Sequence, residues 1–335
     1  MLSRPVEHYD FTLLPFIPFS GTGGEALNNN DVVAGGIARS DGSVALAVWS
    51  DGVLTNLGIP PGLPTPDFDQ PRVFGMNDCG TIVGTVHTRA GDLPSRCFIH
   101  QAGRFQVLPL ADAADLGGAA IGINVRDQVV GYDHTPEKRV TGWLWSDGTY
   151  SRIPVAGKNT AALAINASGT IIGNRSLGFV RRVFSSRLRG SRELGYVLHA
   201  GRARYLSGFA YAINAAGVAV GGTISNGRAR AALFEGSVGR VILDLPSSAV
   251  GINSSVEIVG WYEPLGEDRR HLFKWSANSG AVDLTPDGYH SAEAAAINDR
   301  GVVLGYGVTP EGKSTYFLLS PAANGAVTPR SVIGA

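Results

Sequence analysis

Short runs of apolar and small residues alternate with turn residues from residue 26 to about 320, and one ten-residue pattern recurs seven times. It reads ALNNNDVVAG (26–35), GMNDCGTIVG (75–84), GINVRDQVVG (122–131), AINASGTIIG (164–173), AINAAGVAVG (212–221), GINSSVEIVG (251–260) and AINDRGVVLG (296–305). The shared asparagines are Asn28, Asn77, Asn124, Asn166, Asn214, Asn253 and Asn298, spaced 39 to 49 residues apart. In each unit a run of small residues ends in an aliphatic, and Asn-x-x-Gly then turns the chain. Asparagine bonds its own backbone two residues on, and glycine takes the left-handed position of a hairpin. Asp31 and Asp127 replace that glycine tolerably. Val256 does not, and predicts a distorted sixth turn. The aliphatic strand that follows ends in glycine in all seven units, which points to a bulge or a close backbone approach.

A variable loop, a third strand and a second turn complete each unit. ALAVW (45–49), TGWLW (141–145), AALF (231–234) and HLFKW (271–275) read as third strands; VLTNLG (53–58) and AVDLT (281–285) read as fourth strands. Four strands per roughly 45 residues, seven times, predict an all-β fold, a single seven-bladed β-propeller of four-stranded blades over residues 1–320. Residues 321–335 form a tail or partial strand. A β-solenoid is the competing reading, but its repeats are usually shorter and strictly regular. His8–Leu14 looks like a fourth strand without a blade and is expected to close the ring beside Tyr316–Leu319. Ala326–Ile333 is the rival, with Pro329 in its middle against it.

The repeat resembles the HAF-repeat family, in which Ala-Ile-Asn-x-x-Gly-x-Ile-Val-Gly alternates with aromatic "AFLW" segments. The resemblance covers residues 26 to about 320. It implies architecture, and no catalytic motif comes with it.

Glycine is the compositional outlier, 45 of 335 residues and nearly twice average usage. Twenty-eight basic residues balance 28 acidic ones, which argues against a generic nucleic-acid binder. The N-terminus lacks the pattern of a secretory signal, and no stretch is long and apolar enough for a membrane helix. Cys79 and Cys97 make neither a disulfide framework nor a metal pattern. These features lead us to expect a cytoplasmic monomer with no cofactor and no bound metal.

Repeated residues serve the scaffold, so departures from the repeat mark candidate chemistry. The first strand of each blade should line the central channel, with the long, variable loops on one face. Three positions before the asparagine, Glu25 replaces an otherwise apolar or aromatic series that includes Tyr211. Five positions before it, Arg72, Phe209 and Glu293 stand out. Glu25, Arg72, Tyr211 and Glu293 are expected to meet at the channel mouth, where they could perform acid–base chemistry or grip a polar ligand. The alternative is a structural ion pair of Arg72 in a water-filled channel. Second strands end in His87, Tyr132, His134, Trp261, Glu263 and Tyr306; the two histidines could face one another or hold a metal with an acid. His290 is a further candidate. The loop 174–192 holds six arginines, among them Arg181 and Arg182, and reads as a basic flap or a plain insertion. Gly307–Ser314 fits the phosphate-loop expression GxxxxGK[ST]. A strand-like TYFLLS follows it, however, and Pro310 removes a donor. Asp67-Phe-Asp69 supplies too few oxygens for calcium.

Two functions fit. One is a non-catalytic propeller holding a small ligand or a protein partner on the long-loop face. The other is a lyase, cyclase or isomerase using Glu25 or Glu293 as base, Tyr211 or His87 as acid and Arg72 as anion anchor.

Overall fold

The computed structural model describes residues 8–18, 25–61, 68–88, 95–110, 112, 115–137, 139–157, 159–176 and 193–322. These hold twenty-eight strands in seven four-stranded antiparallel sheets and no helix. The sheets are the blades of a seven-bladed β-propeller. Their inner strands are Ala26–Leu27, Phe68–Met76, Gly118–Ile123, Asn159–Ile165, Phe209–Ile213, Ser247–Ile252 and Ser291–Ile297. The apolar core is a series of inter-blade layers. Phe98 and Val73 of blade 2 pack on Ala34 and Leu46 of blade 1, and Phe273 and Tyr262 of blade 6 pack on Val220 and Leu233 of blade 5.

The ring closes with the N-terminal strand. Tyr9–Leu14 pairs antiparallel with Ser314–Pro321, from Tyr9 opposite Pro321 to Leu14 opposite Tyr316. Phe11 stacks on Phe317 at 5.4 Å, and Tyr9 accepts a hydrogen bond from Lys274 Nζ of blade 6 at 2.9 Å. The rival segment 326–333 lies outside the described residues.

The repeat asparagines do two jobs. Within each turn, Oδ1 accepts from the backbone N–H four residues on, and in six turns also from the one two residues on. Nδ2 donates to the backbone carbonyl of the corresponding asparagine in the next blade. The series runs Asn28 to Asn77 at 3.2 Å, Asn77 to Asn124 at 3.0 Å and Asn124 to Asn166 at 3.1 Å. It continues through Asn214, Asn253 and Asn298 at 3.1 Å each and returns from Asn298 to Asn28 at 3.0 Å. All seven asparagines are buried. The turn chemistry expected from the sequence is therefore half of their role, and the other half is a closed belt.

The sixth turn is not distorted. Val256 adopts φ 59°, as do Asp31 at 59° and Asp127 at 57°, and the turn keeps its bonds from Val256 N–H to Asn253 O and from Asn253 N–H to Glu257 O. The asparagine bonds over-determine the turn, so the β-branched residue bears the backbone cost of a left-handed conformation.

A bulge explains the invariant terminal glycine. In blades 2 to 7 the register slips by one residue three positions before the asparagine, at Phe74, Ile121, Leu163, Tyr211, Val250 and Ala295. In blades 2 to 6 the carbonyl five positions before the asparagine then leans over the second-strand glycine. A Cβ on Gly131 would collide with the Ala119 carbonyl, and one on Gly173 with that of Ala161. An aromatic ring of the third strand, Trp143 or Tyr196, covers the other side.

Asn214→Asp keeps the turn acceptor but removes the inter-blade donor and sets a carboxylate against the Asn253 carbonyl. We expect a loss of about 2–3 kcal/mol at neutral pH, partly restored on acidification, when the protonated acid can donate again. Denaturant unfolding at several pH values checks this; a pH-independent loss equal to that of Asn214→Ala would contradict it.

Candidate functional site

In blades 2 to 7 the bulge sets the residue three before the asparagine apart from the ladder of its inner strand. On one side of the ring these residues are apolar: Phe74, Ile121, Leu163 and Tyr211, from four consecutive blades, share one cluster with Ala119, Tyr132 and Ala161. Phe209 is buried, with its ring 5.3 Å from that of Tyr211. Tyr211 thus belongs to the apolar side.

The other side is polar. Glu25, three before Asn28 in blade 1, is 7% exposed, yet neither carboxylate oxygen has a well-formed hydrogen bond. Burial pushes its carboxyl up to about 8, although the Tyr316 hydroxyl and the Arg72 guanidinium pull it down. The tyrosine beside Glu25 is therefore Tyr316, on the third strand of blade 7. Tyr316 pairs in register with Tyr306, their rings 5.4 Å apart, and Tyr306 pairs with Glu293 on the inner strand. Glu293, Tyr306 and Tyr316 thus form one row across blade 7, and its two tyrosines pack against Val33 and Ala47 of blade 1.

Glu293 accepts a hydrogen bond from Arg270 Nη1 at 2.9 Å, and both side chains are largely buried. Arg270 lies on the loop between the second and third strands of blade 6, with its guanidinium 3.9 Å from the Trp261 ring centroid. That loop is anchored where Ala292 N–H donates to the Arg270 carbonyl at 2.9 Å. Ser248, opposite Trp261, buries a hydroxyl that has no hydrogen-bond partner. A strip therefore runs from Trp261 through Arg270, Glu293, Tyr306 and Tyr316 to Glu25 and Arg72, over blades 6, 7, 1 and 2.

Glu25, Arg72, Glu293, Trp261 and Tyr306 were legible as departures from the repeat, and the strip brings them together. Arg270 and Tyr316 were not. One sits in a variable loop and the other on a third strand where aromatic residues are usual; Ser248 stood at the informative position but is small. Other candidates fall elsewhere. Tyr132 is buried against His134, with ring centroids 5.4 Å apart, and His134 is exposed. His87 lies on the strand Ile82–Thr88, but its side chain, like Arg181, Arg182 and Asp67, is outside the described set. The facing histidine pair is thus not among the described contacts. Glu263 is half-buried, its N–H bonded to the Pro246 carbonyl at 2.8 Å, and His290 is exposed. Among the described residues no group of three acidic, histidine or cysteine side chains is placed to hold a metal. Gly307–Ser314 forms a β-hairpin turn between strands Val303–Val308 and Ser314–Pro321, closed by the bond from Thr309 N–H to the Lys313 carbonyl at 2.9 Å; it opens no helix. Among the described residues no helix is long and apolar enough to cross a membrane.

No family model and no curated protein matches the chain. Solved structures do. A puromycin-hydrolysing peptidase of Mycobacterium tuberculosis aligns with 13% identity and a TM-score of 0.60 over 94% of this chain and 51% of its own. The chain thus spans about half the length of that peptidase, and the likeness is one of fold. Dipeptidyl peptidase 4 of Porphyromonas gingivalis (10% identity, TM-score 0.46, 90% of this chain and 51% of its own) and the BP39L lectin of Burkholderia pseudomallei (10%, 0.40, 90% and 97%) are more distant.

The raised Glu25 pKa carries a sign. Because the folded value of about 8 exceeds the ordinary 4.5, the stability associated with the neutral carboxyl is complete below about 4.5 and is lost as pH rises through 8. Glu25→Gln removes that dependence. In urea unfolding the variant should match the natural protein near the acid end and exceed it increasingly towards alkaline pH. Parallel profiles would contradict the burial effect.

Proposed function

We propose that this chain is a ligand-binding propeller that holds a small polar molecule on the long-loop face, at the mouth of the channel. The observation that carries the reading is Glu25, a buried carboxyl without a well-formed hydrogen bond, set beside the Tyr316 hydroxyl and the Arg72 guanidinium at a position where the other blades place apolar or aromatic side chains. An unsatisfied buried polar group costs about 1–3 kcal/mol and persists where something compensates for it. A ligand that donates to or accepts from Glu25 and presents an anionic edge to Arg72 would do so. Half-buried Trp261 offers ring surface, Tyr306 is buried between blades 7 and 1, and the Arg270–Glu293 pair fixes one edge of the strip. The kinship with the HAF-repeat family is part of the same reading, as is a monomeric, closed ring.

The enzymatic reading has one observation in its favour. With a pKa of about 8, Glu25 holds its proton at neutral pH and is suited to general-acid work beside an anion anchor. Its role would then be proton donor, the reverse of the base expected from the sequence.

Native mass spectrometry of the protein recovered from the cells that make it tests the proposal. A small-mass adduct, absent from Glu25→Gln and from Arg72→Ala while both variants remain folded, is the expected result. No adduct, or one retained in both variants, would refute a channel-mouth site. If the released molecule is returned to fresh protein and reappears as new species whose masses sum to its own, the enzymatic reading replaces the binding one.

A further inference from the structure

The opposite, tight-turn face carries a separate feature. A cavity of about 460 Å³ lies between the outer strands of blade 4 and the Ala215–Gly217 turn of blade 5. Its lining includes His199, Arg202 and Arg204 and no acidic residue. His199 stands opposite Arg202, and Val197 opposite Arg204, so both arginines rise from alternate positions on one face of the fourth strand. Arg204 Nη1 is buried and has no hydrogen-bond partner.

The scaffold does not ask for this arrangement. At the Arg204 position the other blades place Thr55, Gln106, Ser151, Arg240, Val282 and Thr12 in register. Only Arg240 repeats the charge, and it lies over the Trp275 ring at 5.4 Å. No other blade sets a histidine opposite an arginine here.

A hydrogen-bond chain orients the histidine. Ser168 Oγ donates to Asn166 Oδ1 at 2.8 Å, Ser168 Oγ and Thr170 Oγ1 are 3.0 Å apart, and Thr170 Oγ1 is 2.8 Å from His199 Nδ1. Because Asn166 Oδ1 can only accept, all three bonds form together in one direction: Thr170 donates to Ser168 and His199 Nδ1–H donates to Thr170. In the neutral ring Nε2 is then an acceptor, suited to a protonated phosphate oxygen, and only the doubly protonated ring would donate from it to a dianion. The chain starts from an asparagine of the belt, which ties the imidazole to the Asn166 turn.

We propose that this cavity binds a phosphate monoester. Two guanidinium groups supply the forked donors that match phosphate oxygens, and their double charge suits a dianion better than a carboxylate. The volume exceeds that of a bare phosphate and lies in the range of small-molecule sites, leaving room for the esterified group. The site is independent of the channel-mouth strip.

Isothermal titration calorimetry at constant ionic strength tests it, with inorganic phosphate and glycerol 3-phosphate as probes and acetate as the monoanionic control. Saturable binding of both phosphates, not displaced by acetate, is expected. Arg204→Gln and Arg204→Lys should each weaken it by roughly tenfold or more, the second because an ammonium keeps the charge but loses the fork. The Nη1 atom of Arg204 has no partner to lose, so both variants should fold; Arg202→Gln provides a second, more exposed probe of the same loss. Glu25→Gln should bind phosphate unchanged. Absence of saturable binding, binding undiminished in the arginine variants, or loss in Glu25→Gln would overturn the assignment.

Discussion

Seven buried carboxamides hold the ring. Each asparagine spends its oxygen on its own turn and its nitrogen on the next blade, so that turn geometry and blade spacing are fixed by one side chain. The arrangement leaves no end to the series, because Asn298 reaches Asn28 as the others reach their neighbours. Four of the asparagines also use their second N–H, on Asp127, Gln128, Glu257 and Asp31. Each belt bond is worth only about 1 kcal/mol net, but leaving one member unpaired inside the protein costs more than the bond contributes. That asymmetry favours a complete set over one with a missing member. At the seam between blades 7 and 1, Asn29 and Asp299 exchange hydrogen bonds and Arg300 pairs with Asp31. The N-terminal strand fastens the same two blades from the outside, so the ring is closed twice.

From the belt the chemistry of the inner strands follows. The turn fixes where each strand ends, and in blades 2 to 7 the bulge three residues earlier re-aims one side chain. The bulge also brings a carbonyl down on the second strand, which only glycine tolerates. The scaffold therefore leaves two inner positions per blade to vary, three and five before the asparagine. Blades 2 to 5 fill the first with apolar groups that pack together. Blade 1 breaks the series with Glu25, and blades 2, 6 and 7 place Arg72, Ser248 and Glu293 at the second. The asymmetry of the channel arises from these four substitutions on a symmetric frame.

Architecture was readable in the chain because the repeat states its own constraints: an asparagine for the turn, a glycine for the close approach and a spacing that only blades satisfy. What stayed hidden were the relations between blades. Nothing local in Asn28 says that its nitrogen meets a carbonyl 49 residues away. Val256 looked like a fault in the turn, yet two hydrogen bonds to Asn253 hold it in the left-handed region. At the site, the departures Glu25 and Glu293 could be read directly, but their partners Tyr316 and Arg270 could not. A third-strand tyrosine looks like ordinary core, and an arginine in a variable loop looks like surface until the loop folds back over the next blade. Tyr211 illustrates the converse, a polar side chain at an inner position that the packing of Phe74 and Ile121 draws to the apolar side.

The belt is the claim on which the rest of the account stands, and proton exchange at the asparagine side chains reads it most directly. In protein labelled with nitrogen-15 at asparagine, the carboxamide protons of Asn28, Asn77, Asn124, Asn166, Asn214, Asn253 and Asn298 should persist after transfer to heavy water, whereas those of exposed Asn56 and Asn226 vanish at once. Exchange of the seven as fast as these exposed groups would show that the asparagines serve their turns alone, and that the blades are held by apolar packing without a polar ring.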